Sequence, residues 1–443
     1  MRKNPYQIIC ENDNVLTYEE MIAFSEEFAK RLKGINCCAI LCKSEMAASM
    51  ALLSCFAAKV TALPLTQRYG ELHCNKILDV ISPDAIITDQ DGDFQIIHIS
   101  DFKYIKPKVR PALIMCTSGT TGTPKGVMLS EKNIITNMLD ISEYFKISSK
   151  DYILISRPLY HCAALTGEFL TALIKGTKIR FYSNRFNPPK MLELIKMYDI
   201  TAFCGTPTLL NLMSKFCRNE CDSLRHICIS GECLGKELAI SIKKTFNKCD
   251  IYHIYGLTEA SPRVSYLPPR LFEEYSEFVG IPLKNVSIKI INSKGNLCKT
   301  NEEGVLWVKG ANTMLGYYNM PQKTKETLNK GWLCTGDIAL INDIGLLKIQ
   351  GREDQMIIKG GMNIYPAEIE NSLRKDRRVH DVIAFGYEKE YGTQIGIRIV
   401  GDFSSVDEVK KICQKILPVY QMPTFIEILK ELPKNASGKV VRK

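Results

Sequence analysis

Ten residues from Thr117 to Gly126 (Thr-Ser-Gly-Thr-Thr-Gly-Thr-Pro-Lys-Gly) gather five hydroxyls, three glycines and one lysine. Glycine lets backbone N–H groups approach a bound group and point the same way, hydroxyls add donors, and lysine adds a charge. In composition this is a phosphate cradle, with Thr117, Ser118, Gly119, Thr120, Thr121, Gly122 and Lys125 as the residues that would line it. It is not the Walker loop, which needs Gly-Lys-Ser/Thr, because Pro124 precedes Lys125 and Gly126 follows it. The plain alternative is a surface loop rich in small polar residues.

Further along, Tyr255-Gly256-Leu257-Thr258-Glu259 follows an apolar, strand-like run. A tyrosine face suits a base, glycine permits close approach, and a hydroxyl beside a carboxylate suits a magnesium–phosphate unit. Ser230-Gly231-Glu232-Cys233 also leaves a strand-like run, which places it at a carboxyl end, where open α/β sheets bind ligands. Each of these segments taken alone is also readable as an ordinary turn.

The order in which such segments arrive resembles the adenylate-forming superfamily of acyl- and aryl-CoA synthetases, nonribosomal adenylation domains and luciferases. The pattern is nearest to AMP-forming acyl- or aryl-CoA ligases. The resemblance runs from Leu16-Thr17-Tyr18 to Lys439. It implies that Gly231, Glu232 and Cys233 form an adenine loop and that Tyr255 stacks on adenine beside Gly256. Thr258 would touch the α-phosphate region and Glu259 would contact magnesium. Asp337, in Thr335-Gly336-Asp337, and Arg352 would hold the ribose, and Asp354 would be a hinge. Gly360 and Gly361 would later line the thiol's tunnel, His161 would stand at the pocket mouth, and Lys439 would be the catalytic lysine. The implied substrates are ATP with magnesium, a small carboxylic acid, and coenzyme A or a carrier protein's phosphopantetheine.

The elements that must position these residues alternate. Thr17 and Glu20 form a capping-box pattern ahead of a helix through Phe24, Phe28 and Leu32. Strand-like runs at Cys38–Leu41, Val60–Leu63, Tyr152–Ile155, Ile179–Tyr182, Ala202–Cys204 and His226–Ile229 are separated by helical patterns at Ala47–Ala57, Glu131–Tyr144, Leu165–Leu173 and Pro188–Tyr198. Such alternation predicts a doubly wound parallel sheet. The stretch Asp89–Pro111 carries little pattern. Short β runs from Val286 to Val308 predict a small β subdomain, and the last stretch predicts a separate α+β unit. The expected fold is therefore α/β. A large N-terminal adenylate-binding domain of doubly wound sheets spans residues 1–352, and a small α+β cap that carries Lys439 spans residues 353–443. The resemblance implies that the cap moves.

The 443 residues carry a formal charge of +10, which suits anionic ligands, and no basic run interleaved with aromatics that would point to nucleic acid. Seventeen scattered cysteines and no apolar leader predict free thiols in a reducing cytoplasm, with no membrane span. The chain is shorter than many members of the superfamily and ends soon after Lys439, so extra terminal modules are not expected.

The acid is less legible. No aspartate stands near Phe203-Cys204-Gly205 to hold an α-ammonium group, and Pro158-Leu159-Tyr160-His161 resembles the acyl- and aryl-CoA form of that motif. Pocket segments are expected at Ala163-Ala164, Gly205–Thr208 and Ser261–Arg263, where small residues could admit an aromatic or extended acyl group and Arg263 could meet a distal anion. Three other readings stand beside the CoA ligase. One is loading of a phosphopantetheinyl carrier protein, another a phosphate-loop kinase, and the last a nucleotide-binding regulator without catalysis.

Overall fold

The computed structural model describes residues 8–67, 70–90, 93–99, 103–117, 124–182, 187–218, 221–359, 362–389 and 392–433. Short runs that are apolar on both faces become buried strands, as a sheet covered on both sides requires. In the nine-stranded sheet six of them lie parallel, in the order Asp250–Gly256, His226–Ser230, Ala202–Gly205, Tyr152–Ile155, Lys178–Phe181 and Ile8–Glu11. Antiparallel strands Arg263–Leu267 and Asn14–Thr17 flank this parallel block.

A seven-stranded sheet repeats the plan. Its parallel strands run Leu113–Thr117, Thr61–Pro64, Cys37–Ile40 and Ala85–Gln90. Antiparallel strands Lys125–Leu129 and Asp93–His98 flank them, and Gly316–Tyr317 adds to the first of these. Side chains alternate between faces along each strand. Cys38 and Ile40 therefore join the core that spans both sheets, whereas Cys37 and Ala39 join a second core on the outer face. The shared core also takes Met21, Phe28, Leu52, Ile134 and Ile141, so the helices Tyr18–Arg31, Glu45–Ala57 and Glu131–Tyr144 serve both sheets. The first helix starts on the expected capping box, with Thr17 and Glu20 each accepting from the other's backbone.

An antiparallel sheet of Val286–Ile291, Gly304–Gly310, Trp332–Ile341 and Leu347–Arg352 follows. Beyond it the strands Val379–Lys389, Gly392–Gly401 and Phe425–Ile428 and the helices Pro366–Leu373 and Val406–Ile416 enclose a hydrophobic core drawn from residues 357–417 alone. The architecture is the expected α/β one, with two doubly wound sheets, a β subdomain and a small α+β unit.

Two stretches differ from expectation. Asp89–Pro111 contains the strand Asp93–His98, whose mixed apolar and polar residues suit an exposed sheet edge. Leu165–Leu173 is not one α-helix. A π-helical turn at Leu165–Leu170 lies between α turns Cys162–Ala164 and Thr171–Lys175. The wide turn has local causes: the Thr171 hydroxyl donates to the Thr166 carbonyl five residues back, and the Thr166 hydroxyl donates to Cys162 and to Ser261 across the chain.

Candidate active site

The strand Leu113–Thr117 and the strand Lys125–Leu129 pair so that Thr117 faces Lys125 across the base of the hydroxyl-rich loop. Ser118, Gly119, Thr120, Thr121 and Gly122 lie outside the described residues, as do Gly360, Gly361 and Lys439.

Tyr255 and Gly256 close the strand Asp250–Gly256, and Thr258 and Glu259 sit in the single 3-10 turn that follows. Glycine is needed here for space: a Cβ at 256 would lie 2.0 Å from the Pro262 carbonyl oxygen, which already accepts from Leu257 N. The turn is stapled from the β subdomain. Met314 N donates to the Glu259 carbonyl at 2.9 Å, Asn312 Nδ2 donates to Ala260, and the Ser261 hydroxyl donates to Asn312.

The Glu259 carboxylate accepts from the Tyr317 hydroxyl at 2.9 Å, and Lys125 Nζ stands 5.7 Å from the centre of the same ring. Tyr317 thus joins the lysine of the seven-stranded sheet to the carboxylate carried by the nine-stranded one. Burial, then the charge of Glu259, holds this phenol far above its usual range, so it stays a donor.

On the other side, Asp337 in the strand Trp332–Ile341 is paired in register with Arg352. The Tyr255 hydroxyl and Arg352 Nη1 both donate to its carboxylate, the second at 3.3 Å. Burial raises the Asp337 carboxyl above its ordinary value, against the pull of Arg352 and Tyr255. Arg352 also donates to the Thr335 carbonyl at 2.7 Å and reaches Asp354 at 3.3 Å. Gly336 has φ +71 and carries the Arg352 guanidinium over it, where a Cβ would meet Nη2 at 3.0 Å. Glu259 lies within electrostatic reach of Asp337, and Arg352 within reach of Tyr317, so the two halves are neighbours.

Gly231, Glu232 and Cys233 leave the strand His226–Ser230 with Gly231 at φ +99. Glu232 accepts from the Thr208 hydroxyl at 2.6 Å and the Thr208 amide at 3.2 Å, so that loop is held by the start of the helix Pro207–Phe216. His161 caps the turn Cys162–Ala164, its ring 4.2 Å from that of Tyr160.

Chemically, one end of the cluster offers a cation and a carboxylate, and the other a carboxylate backed by a guanidinium. Among the described residues there is no group of three or more metal-ligating side chains. A single carboxylate fits magnesium that keeps most of its ligands from water and phosphate oxygens. Sequence reasoning passed over Tyr317, and it placed Thr208 in a pocket segment without its hold on Glu232. Tyr317 lies in no segment with a chemical signature, although the aromatic pair Tyr317-Tyr318 just after Gly316 was a usable hint.

The fold and these segments define a nucleotide-binding enzyme family. Residues 2–318 match the family model described as AMP-binding enzyme, and the chain belongs to that family. A long-chain-fatty-acid–CoA ligase of Haemophilus influenzae is 32% identical over 363 residues, which make up 79% of this chain and 64% of the relative. A mitochondrial medium-chain acyl-CoA ligase of Mus musculus is 34% identical over 345 residues, 74% of this chain and 56% of the relative. The chain therefore matches less than two thirds of the length of these curated relatives. The o-succinylbenzoate CoA synthetase of Bacillus subtilis, solved with its acyl-adenylate intermediate, superposes with a TM-score of 0.86 at 26% identity, covering 99% of this chain and 95% of that one. ATP-bound MatB of Rhodopseudomonas palustris, at 23% identity and the same TM-score of 0.86, shares the fold over 99% of this chain and 95% of its own. No helix among the described residues is long and apolar enough to cross a membrane.

Proposed function

We propose that this protein is an ATP-dependent, AMP-forming acid–thiol ligase that converts a carboxylic acid to its acyl-adenylate and passes the acyl group to coenzyme A. The observation that carries the proposal is the convergence of Lys125, Tyr317 and Glu259 with Tyr255, Asp337 and Arg352 into one cluster. That arrangement suits a nucleotide with its phosphates toward the first three groups and its ribose toward the last three. The relatives named above as CoA ligases support coenzyme A as the thiol.

In this reading an oxygen of the substrate carboxylate attacks the α-phosphorus. The bond to the bridging oxygen breaks, and pyrophosphate leaves with the electron pair. The positive end of Lys125, with Thr117 and the loop residues Ser118 to Gly122, holds the departing pyrophosphate. Glu259 would hold magnesium, which would supply charge neutralisation at the phosphates. Lys439 stabilises charge between the carboxylate and the α-phosphate. Asp337 accepts from the ribose hydroxyls, Arg352 keeps Asp337 oriented, Tyr255 packs on the adenine, and Gly231, Glu232, Cys233 and Gly256 border it. Thr258 contacts the α-phosphate, and His161 stands at the acid's entrance. The thiolate then attacks the acyl carbon, a tetrahedral centre collapses, and AMP leaves.

Two bodies are part of the proposal: residues 1–352 bind the adenylate, and residues 353–443 form a cap that pivots at Asp354 and exchanges Lys439 for Gly361 between the two steps. A separate core over residues 357–417 supports that division. We assign the protein to the cytoplasm.

The test is acid-dependent exchange of labelled pyrophosphate into ATP across an acid panel, followed by thiol consumption with coenzyme A. Formation of ADP, or silence with every acid, rejects the proposal.

A further inference from the structure

Arg263 opens the strand Arg263–Leu267, only four residues beyond Glu259. Its backbone is fixed on both sides. Arg263 N donates to Asn137 Oδ1 at 3.1 Å, and its carbonyl accepts from Asn137 Nδ2 at 2.9 Å and Asn312 Nδ2 at 3.0 Å. The side chain is 2% exposed. The guanidinium packs on Gly167 of the π-helical turn, where a Cβ would lie 3.0 Å from Nε and 3.1 Å from Nη2.

Among the described residues this guanidinium makes no hydrogen bond and no ion pair, and its Nε is buried without a partner. An arginine keeps its charge in a protein, and a buried charge without a partner is expensive. The wholly buried Glu168 is a candidate counter-ion, but its Oε1 is paired with Arg157, and its Oε2 is buried without a hydrogen bond to either guanidinium. Two guanidiniums therefore share one carboxylate, and the interior keeps a positive charge in excess.

The position suits an acid pocket. The Thr166 hydroxyl ties the π-helical turn to the Ser261 carbonyl in the loop between Glu259 and Arg263. Cys162, next to His161, lies within electrostatic reach of both Arg263 and Glu259. Cys204 and Cys228 of the central strands lie within reach of Arg263 from the sheet side. An acid whose carboxylate meets the α-phosphate would thus extend downward between the π-helical turn and the sheet, toward this guanidinium.

We infer that the acid carries a second negative charge at its far end, a short dicarboxylate whose distal group takes the unpartnered Arg263 guanidinium. This inference rests on the ligase reading above. It separates this chain from a ligase for long unsubstituted fatty acids, whose tails would have to displace a buried cation.

The test compares succinate, glutarate and adipate with butyrate, hexanoate and octanoate, read as pyrophosphate release with ATP and coenzyme A. The best diacid should exceed the best monoacid by about 10²-fold or more in kcat/KM, because a site built for a polar group rejects analogues that lack it. Arg263→Met should lower diacid kcat/KM by about 10²-fold, chiefly through KM, and raise monoacid activity, with thermal stabilisation by ATP retained. Arg263→Lys, which keeps the charge, should lose less on diacids and gain nothing on monoacids. Wild-type preference for monoacids, or an unchanged diacid KM in Arg263→Met, overturns the inference and leaves the ligase proposal standing. Absence of turnover with all acids overturns both.

Discussion

Replacing Tyr317 with Phe removes one oxygen from the middle of the site and leaves the ring in place. That oxygen donates to Glu259 at 2.9 Å, and the ring stays beside Lys125. A hydrogen bond to a charged group contributes about 1.5–3 kcal/mol net, and because Glu259 is only half-buried, water recovers part of this. Taking about 1.5–2 kcal/mol as the loss in the transition state, and about 1.4 kcal/mol per decade, gives a fall of about 10- to 30-fold. The assay is pyrophosphate exchange at saturating acid with ATP varied, run beside thermal unfolding. Exchange should fall by that factor while the melting temperature stays within a few degrees of wild type. Exchange within about threefold of wild type would show that Tyr317 does not orient Glu259. Tyr317→Leu should cost a further few-fold, because the cation–ring contact of about 0.5–1 kcal/mol goes as well.

Lys439→Ala should lower adenylation by about 10²- to 10³-fold, as for loss of one strong transition-state donor, while thioester formation from supplied acyl-adenylate survives; half-reactions measured separately decide it. Gly256→Ala should cost about 1–3 kcal/mol or more, because the added Cβ meets backbone and not a flexible side chain. Exchange activity and urea midpoint should fall together. Fully buried His253 contacts the Ser276 carbonyl at 2.9 Å through Nδ1, and burial depresses its pKa to about 4. A histidine depressed in the folded state contributes no penalty above its unfolded value and costs stability as pH falls below it. From an unfolded value of about 6.5, stability should drop by about 2.5 kcal/mol between pH 7.5 and 4.5 from this group. Urea midpoints across that range should be flatter in His253→Gln, and an unchanged slope would exclude His253 as the source.

The sequence carried the elements whose signals are local. The capping box at Thr17 and Glu20, the helix Glu131–Tyr144 and the strand Tyr152–Ile155 fall at the expected residues. So does the need for glycine at 256, which a tight turn imposes. What escaped depends on partners far along the chain. Tyr317 reads as a core aromatic until Glu259, 58 residues earlier, is placed beside it. The π-helical turn escaped because six residues cannot separate its period from that of an α-helix, and its causes, Thr171 and Ser261, lie outside the turn itself. Arg157 and Glu168 look like solvated charges in sequence, yet Glu168 is fully buried and holds Arg157 across 11 positions.

Lys125 and Tyr317 ride on one large sheet and Glu259 on the other, with no covalent link between them shorter than a long excursion of chain. The groups that would grip phosphate are therefore set by how the two sheets lie on the helices they share. A slip of an ångström along that boundary would leave every strand intact and still open the gap between lysine and carboxylate. Turnover in such a molecule works as a vernier on its interior, failing at mild denaturant or heat while spectroscopic probes of secondary structure still register a folded chain.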